Sequence, residues 1–346
     1  MPIHDPHRVL VLSNMYPSPA FAGWGAFVHG QVESLRTLGL TVDVVARPTP
    51  RRANYASFYL TAARRLTGTA YDVVHAHYGF HSALPALAFA SDRLVTTFHR
   101  GDALDEPRRN PVYRAAQVAC VRRSRAIVAV SAEIADAVRE LGGERCPPVT
   151  VLPCGVDVES FHFRERTTGM AGPESTPLVL WSGTDRSAAR KGLAAVLACA
   201  AALPEVRFVA LGVAAESGAP SNVTFPGRVD NAQVGEWLHR ADLFVLPSAS
   251  EGTPVSVLEA MAAGTPVLAS RAGGLRDVLV DGRTGWFVED TGRDAVLAGL
   301  RRVLSASPDT RERVRVTARH EVEARFSLPA VAGRLREVYR GVCARA

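Results

Sequence analysis

DLFVLPSASEGTPVSVLEAMAAGTPVLAS, residues 242–270, opens and closes on short apolar runs and carries helix punctuation between them. The runs at 242–246 and 266–270 read as strands. Thr253 stands where an N-cap belongs, Pro254 at the first helical position and Gly264 at the end, so the segment between reads as a helix. A strand, a helix and a strand joined by short turns make a parallel βαβ unit, because parallel neighbours need a crossover.

The same alternation extends outward in both directions. Runs rich in Val, Ile and Leu fall at 178–182, 206–211 and 223–225 before this unit and at 285–288 after it. A first set falls at 8–14, 41–46, 71–75, 94–98, 126–130 and 149–152. Between the sets, 153–177 has Gly and Pro near its ends, Thr167-Thr168-Gly169 and no sustained hydrophobic period, which marks a linker. The expected fold class is α/β, with two Rossmann-like doubly wound parallel-sheet domains, 1–165 and 166–326, whose strands point their carboxyl ends at a central cleft. A last helical pattern from Leu328 to about Val342 puts a helix in 327–346 that can pack back on the first domain.

At 346 residues and 47% hydrophobic content the chain can bury two such cores. No uncharged apolar run reaches membrane-spanning length, and MPIHDPHRVLVLSN leads into a strand rather than a cleavable signal, so a cytoplasmic location is expected. Cys120, Cys146, Cys154, Cys199 and Cys343 are odd in number and form no C-x-x-C pair, which argues against a disulfide framework or a zinc knuckle. Residues 1–165 carry 18 arginines and 15 carboxylates, half of the net charge of +6, so the basic excess is evenly spread. No nucleic-acid module accompanies it, and base reading is not implied. The one local cluster, Arg108, Arg109, Arg114, Arg122, Arg123 and Arg125, reads as a helix. A solvated face and a peripheral anchor for anionic lipid head groups are its two readings.

The helix start at 254 offers backbone amides and the positive end of a dipole, an anion site suited to a diphosphate. Pro254 has no N–H, which makes Val255 and Ser256 the natural donors, beside Gly252 and Thr253 in the preceding turn. Glu251 sits before the helix and Glu259 about two turns inside it, so the two carboxylates can reach different parts of one extended ligand. On spacing alone, an ordinary helix with a charged start and one solvated Glu explains the pair equally well.

The arrangement resembles the E-x7-E signature of glycosyltransferase family 4 (glycosyl transferases group 1), the retaining enzymes of the GT-B fold. The resemblance extends across the chain and is best in its C-terminal half. It implies that Glu251 contacts the transferred sugar and Glu259 the ribose of a nucleotide-sugar donor. WSGTDRSAARKG, residues 181–192, looks like the family's G-R-x4-K-G loop, with Thr184 and Asp185 intervening between Gly183 and Arg186. The resemblance makes Arg186 and Lys191 the phosphate clamp, with Arg190 as the alternative arginine. Lys191 is the single lysine of the chain beside 39 arginines, and an ammonium and a guanidinium are not interchangeable at a phosphate. Two such cations can stabilise the charge on a departing diphosphate, the role a metal fills in other transferases. No D-x-D occurs; Asp157-Val-Glu159 is the nearest approach, inside Pro153-Cys154-Gly155-Val-Asp157, which resembles the family's P-N-G-V-D connector with Cys154 in place of Asn. No metal and no cofactor besides the sugar nucleotide is expected.

In the first domain Gly23 and Gly25 precede a helix expected from about Ala26 and look like the family's glycine-rich first loop on the donor side. His99, in Phe98-His99-Arg-Gly-Asp102, resembles the family's H-G-x-D segment with the glycine displaced by one, which implies a place beside the reacting sugar. A strand-end histidine is otherwise more often structural. His75, His77 and His81 cluster in the sequence, but His75 and His77 alternate along a strand with no nearby Cys or carboxylate to join them, which argues against zinc. Tyr78, His81 and Asp102 are assigned to the acceptor side. The activity so implied is retaining, metal-independent transfer of a hexose-type sugar from a UDP- or GDP-sugar to an unidentified acceptor hydroxyl, in polysaccharide, glycolipid or secondary-metabolite biosynthesis. A GT-B nucleotide-sugar epimerase and a catalytically silent sugar-nucleotide binding protein are the rivals.

Overall fold

Six parallel strands build the first sheet: β1 (Arg8–Ser13), β2 (Thr41–Ala46), β3 (Val73–His77), β4 (Leu94–Phe98), β5 (Ala126–Ala129) and β6 (Val149–Val151), in the order β2-β1-β3-β4-β5-β6. Six more build the second: β7 (Leu178–Ser182), β8 (Arg207–Leu211), β9 (Val223–Gly227), β10 (Leu243–Leu246), β11 (Val267–Ser270) and β12 (Trp286–Val288), in the order β12-β11-β10-β7-β8-β9. The computed structural model describes residues 5–18, 23–47, 49, 51, 53–164 and 176–345.

Each apolar run of the sequence became a strand because helices cover both faces of each sheet. In β1, Val9 and Val11 enter one buried cluster and Leu10 and Leu12 the other, so neither face tolerates polar alternation. β3 lies two residues later than its apolar composition suggested. Asp72 caps its entry by accepting from the backbone N–H of His7 and Arg8, both at 2.8 Å, and the strand then carries His75 and His77 into the interior. The run expected at 71–75 ends at His75 and leaves His77 beyond it.

The chain divides into two compact units, Met1–Gly155 with Leu328–Ala346, and Val156–Ser327. The division falls before the boundary expected at 165/166; the middle of the expected linker, including Thr167-Thr168-Gly169, lies outside the described residues. Val156 and Phe161 are buried in the second unit's core, and the Val156 N–H donates to Phe326 O at 2.8 Å, which fixes 156–161 to that unit. The helix Leu328–Cys343 belongs to the first unit, where Val331, Leu335 and Tyr339 pack with Val9, Val11 and the helix Ala26–Thr37. Tyr339 Oη lies 2.7 Å from His75 Nδ1, and His75 Nε2 lies 2.6 Å from Thr97 Oγ1, so this buried imidazole is satisfied at both nitrogens.

In each sheet the direction of winding reverses once. β1 is flanked by β2 and β3, and β7 by β8 and β10. The connections from such neighbours run on to opposite faces of the sheet, and the crevice at the carboxyl ends beside them is where open α/β sheets bind ligands.

Candidate functional site

At the reversal in the second unit, the loop 183–192 after β7 meets the loop 247–254 after β10. The two touch closely. Gly192 has φ +74°, and a Cβ there would lie 2.4 Å from Pro247 O, so only glycine fits. Arg190 O accepts from the Ala249 N–H at 2.8 Å, and Trp181 Nε1 donates to Lys191 O at 3.0 Å. Glu251 is buried in this seam. Its Oε1 accepts from Ser248 Oγ at 2.7 Å and lies 3.1 Å from Arg190 Nη1, which also donates to Ser250 O. Ser248 is anchored in turn, its carbonyl accepting from Ser270 Oγ at 2.5 Å.

Lys191 is half-buried beside these groups. Burial lowers its amine from the ordinary value; Glu251 and Glu259 pull it back up, and Arg190 pushes it further down. Burial raises Glu259 to about 7, against the opposing pull of Lys191. One ammonium thus lies within electrostatic reach of both glutamates at the start of the helix Val255–Ala263. A helix N-terminus and a cation together favour a dianionic ligand such as a diphosphate.

The details of the helix start differ from the sequence expectation. Pro254, not Thr253, occupies the N-cap, with φ −81° and ψ 77°, and the first helical residue is Val255. The Val255 N–H donates to Thr253 O at 3.0 Å in a tight turn about the proline, so it is used locally. Ser256 follows, and its Oγ is buried without a hydrogen-bond partner. Glu259 is the fifth helical residue, little more than one turn in, rather than two. Gly252 lies half-buried in the turn before the proline. The largest difference concerns the arginines. Arg186 is exposed on the turn and forms no ion pair among the described residues, whereas Arg190 is drawn in to Glu251.

At the first unit's strand ends, His99 follows β4 directly and its N–H donates to Asp102 Oδ1 at 2.8 Å. Its ring stacks on Tyr78 at 4.2 Å and on His77 at 5.8 Å. Tyr78 holds the left-handed conformation, φ 70°, which is uncommon for a residue with a side chain and here turns its ring onto His99. His77 and His99 line a small pocket, of about 10 Å3, with Thr97, Gln31 and Cys154. Both nitrogens of His77, Nε2 of His99 and Oδ2 of Asp102 are buried and unpartnered. Burial lowers His77 to about 3, holds His99 well below the ordinary imidazole value and raises Asp102 well above the carboxylate range. His81 is apart from this stack, with Nε2 2.9 Å from Glu106 Oε1 and its carbonyl accepting from Tyr59 Oη at 3.2 Å. Gly25, with φ +76°, caps the helix Ala26–Thr37, and a Cβ would lie 2.5 Å from Met15 O. Gly23 has open space around its Cα, so close approach requires glycine only at position 25.

The structure therefore gathers Lys191, Glu251, Glu259 and Ser256 in one unit and Tyr78, His99 and Asp102 in the other. Sequence reading missed Ser248 and His77. Ser248 carried no signal beyond lying in the loop after a strand, whereas His77 was visible as an alternating strand histidine whose burial hydropathy obscures. No group of three or more His, Cys, Asp or Glu side chains converges as a metal site among the described residues.

The family described as Glycosyltransferase Family 4 matches residues 4–160, and the one described as Glycosyl transferases group 1 matches residues 177–321. The D-inositol 3-phosphate glycosyltransferase of Xylanimonas cellulosilytica is 30% identical over 312 residues, covering 78% of this chain and 72% of that protein. Sucrose-phosphate synthase from Thermosynechococcus elongatus superposes with a TM-score of 0.80 at 20% identity, over 98% of this chain and 100% of that one. Anabaena HepE, solved in complex with UDP and glucose, superposes with a TM-score of 0.72 at 16% identity, over 97% of this chain and 99% of that one. Two parallel sheets flanked by helices, the matches to both halves and this similarity to known transferases agree: the chain is a GT-B glycosyltransferase of the glycosyl transferases group 1 family.

Proposed function

We propose that the chain transfers a hexose-type sugar from a UDP- or GDP-sugar to an acceptor hydroxyl, with retention at the anomeric carbon and without a metal. One observation carries the reading: Lys191 lies within electrostatic reach of both Glu251, before the Val255–Ala263 helix, and Glu259, inside it, at the topological reversal where such sheets bind ligands. That HepE is solved with UDP and glucose supports a uridine nucleotide as the first donor to try.

In this mechanism Ser256 and the helix amides bind the diphosphate, Lys191 and Arg186 neutralise the charge that grows on it as the anomeric C–O bond breaks, and Glu259 accepts from the ribose hydroxyls. Glu251 orients the donor sugar. The acceptor oxygen forms the new C–O bond on the same face, and its proton passes to the departing phosphate oxygen. His99, flanked by Tyr78 and Asp102, hydrogen-bonds hydroxyls in the first unit, with His81 on the acceptor side. The cations occupy the role that a divalent metal plays elsewhere. The protein works in the cytoplasm, with the arginine cluster at 108–125 resting on anionic lipid; among the described residues, no helix is long and apolar enough to cross a membrane.

The test is donor turnover by chelator-treated protein, with Lys191→Ala and Glu251→Ala as variants. Wild type is expected to retain full activity in EDTA, and each variant to fall by at least about 100-fold while its circular dichroism melt persists. Normal turnover in either folded variant refutes the residue assignment. Activity that needs added Mg2+ or Mn2+ refutes the metal-independent mechanism.

A further inference from the structure

Two arginines lie on the loop that carries Lys191, and the structure treats them differently. Arg186 stands exposed on the turn. Arg190 is tied at both ends to the loop after β10: its carbonyl accepts from the Ala249 N–H, and its Nη1 donates to Ser250 O while lying 3.1 Å from Glu251 Oε1. Glu251 has a side chain only 8% exposed, and a carboxylate that deep needs a cation or several donors. It receives Ser248 Oγ and Arg190 at the same oxygen. Two anchors on Oε1 fix the plane of the carboxyl group.

We propose that Arg190 is a positioning residue for Glu251, which acts on sugar transfer by holding that carboxylate in place, and that Arg186 is the arginine that serves the diphosphate. The inference rests on the reading of Glu251 as the group that orients the donor sugar. Residue type supports the division. Nη1 of Arg190 serves the Ser250 carbonyl and the Glu251 carboxylate at once, and a rigid guanidinium holds that geometry with less freedom than a flexible ammonium, whereas the exposed Arg186 is left for a ligand that comes and goes.

The experiment compares Arg190→Met, Arg190→Lys, Arg186→Met, Ser248→Ala and Glu251→Gln, each checked for an unchanged melt. Binding of UDP and GDP is measured by calorimetry, and kcat and KM are measured for hydrolysis of the matching sugar nucleotide. Arg190→Met should bind the nucleoside diphosphate within about twofold of wild type and keep its donor KM. Its kcat should fall about 10- to 100-fold, the loss expected for one charge-assisted hydrogen bond. Arg190→Lys should recover part of that loss, and Ser248→Ala should lower kcat in the same way without touching nucleotide affinity. Arg186→Met should instead lose at least about 10-fold in UDP or GDP affinity. Adding Arg190→Met to Glu251→Gln should cost little more than Glu251→Gln alone, since both act through one group.

Nucleotide affinity that falls as far in Arg190→Met as in Arg186→Met, or a double variant whose losses multiply, overturns the proposal while leaving Glu251 in its role. Normal turnover by Glu251→Gln overturns the underlying reading and this inference with it. Should Arg190→Met fail to fold, Arg190→Lys and Ser248→Ala decide by the same split between kcat and nucleotide affinity.

Discussion

Replacing Glu259 by glutamine should change how the second unit's stability depends on pH. Glu259 is lifted by burial from 4.5 to about 7, even with Lys191 pulling the other way. An acid whose native value lies above its unfolded value keeps its proton longer in the folded chain. Between about pH 4.5 and 7 the native state therefore holds a proton that the unfolded state has released, and stability falls as pH rises through that window. At 1.36 kcal/mol per pH unit the fall amounts to about 3 kcal/mol, complete by about pH 8. The amide of the Glu259→Gln variant cannot titrate, so the stability of wild type relative to that variant should drop by about 3 kcal/mol from pH 4 to pH 8. Urea unfolding followed by tryptophan fluorescence is suited to this, because Trp181, Trp237 and Trp286 all lie in the second unit. Parallel stability profiles for the two proteins would refute the reasoning. A functional corollary uses the same charge: an ionised Glu259 accepts better from a ribose, so wild-type nucleoside affinity should rise toward pH 8 and that of Glu259→Gln should not.

Gly192→Ala places a Cβ 2.4 Å from Pro247 O at a left-handed φ, so the seam between the loops after β7 and β10 must open. The expected cost is about 1–3 kcal/mol of stability with a loss of nucleotide affinity, whereas Gly23→Ala, with nothing within 4 Å of the new atom, should be neutral in thermal melts; equal effects would contradict the geometry. Residues 107–132 contain no carboxylate, Arg108, Arg109, Arg114, Arg122 and Arg123 are exposed, and Val112 is 72% exposed beside them. The protein should co-sediment with vesicles rich in anionic lipid and release them as salt rises, at about 1 kcal/mol per arginine engaged, and equal binding to neutral vesicles would defeat the membrane reading.

The twelve strands were legible because a parallel sheet buried on both faces writes itself as continuous apolar runs, with no partner strand needed to recognise them. What local pattern could not reveal was decided by contacts from far along the chain. Val156 and Phe161 look like linker residues until Phe326 and the second core receive them. His77 falls beyond the apolar run at 71–75, and only its burial shows that the strand carries it inside. At the helix start, Thr253 has the chemistry of a cap, yet the turn about Pro254 claims that position for the proline. The same division holds at the site. Glu251, Glu259 and Lys191 were visible because their spacing follows a family pattern and because Lys191 is the one lysine of the chain. Which of Arg186 and Arg190 turns inward depends on Ser250 and Glu251, about 60 residues away, and no spacing rule encodes it.

Charge separates the two groups of site residues. In the first unit, burial holds His77 and His99 below the ordinary imidazole value and pushes Asp102 above the carboxylate range, so this cluster is biased toward its uncharged forms. Uncharged donors and acceptors in a dry site suit hydroxyl groups, whose desolvation they compensate, and offer little to a phosphate. In the second unit Glu251 is offset by Arg190, while Lys191 stands with the helix terminus and the exposed Arg186. On the proposed reading, three cations against Glu251 and Glu259 leave a cationic excess on the diphosphate side, and a neutral imidazole stands on the hydroxyl side. A protonated His99 would add a cation to the hydroxyl side and blur that distinction, and the stack of Tyr78 and His77 against its ring, by excluding water, is the physical reason it stays neutral.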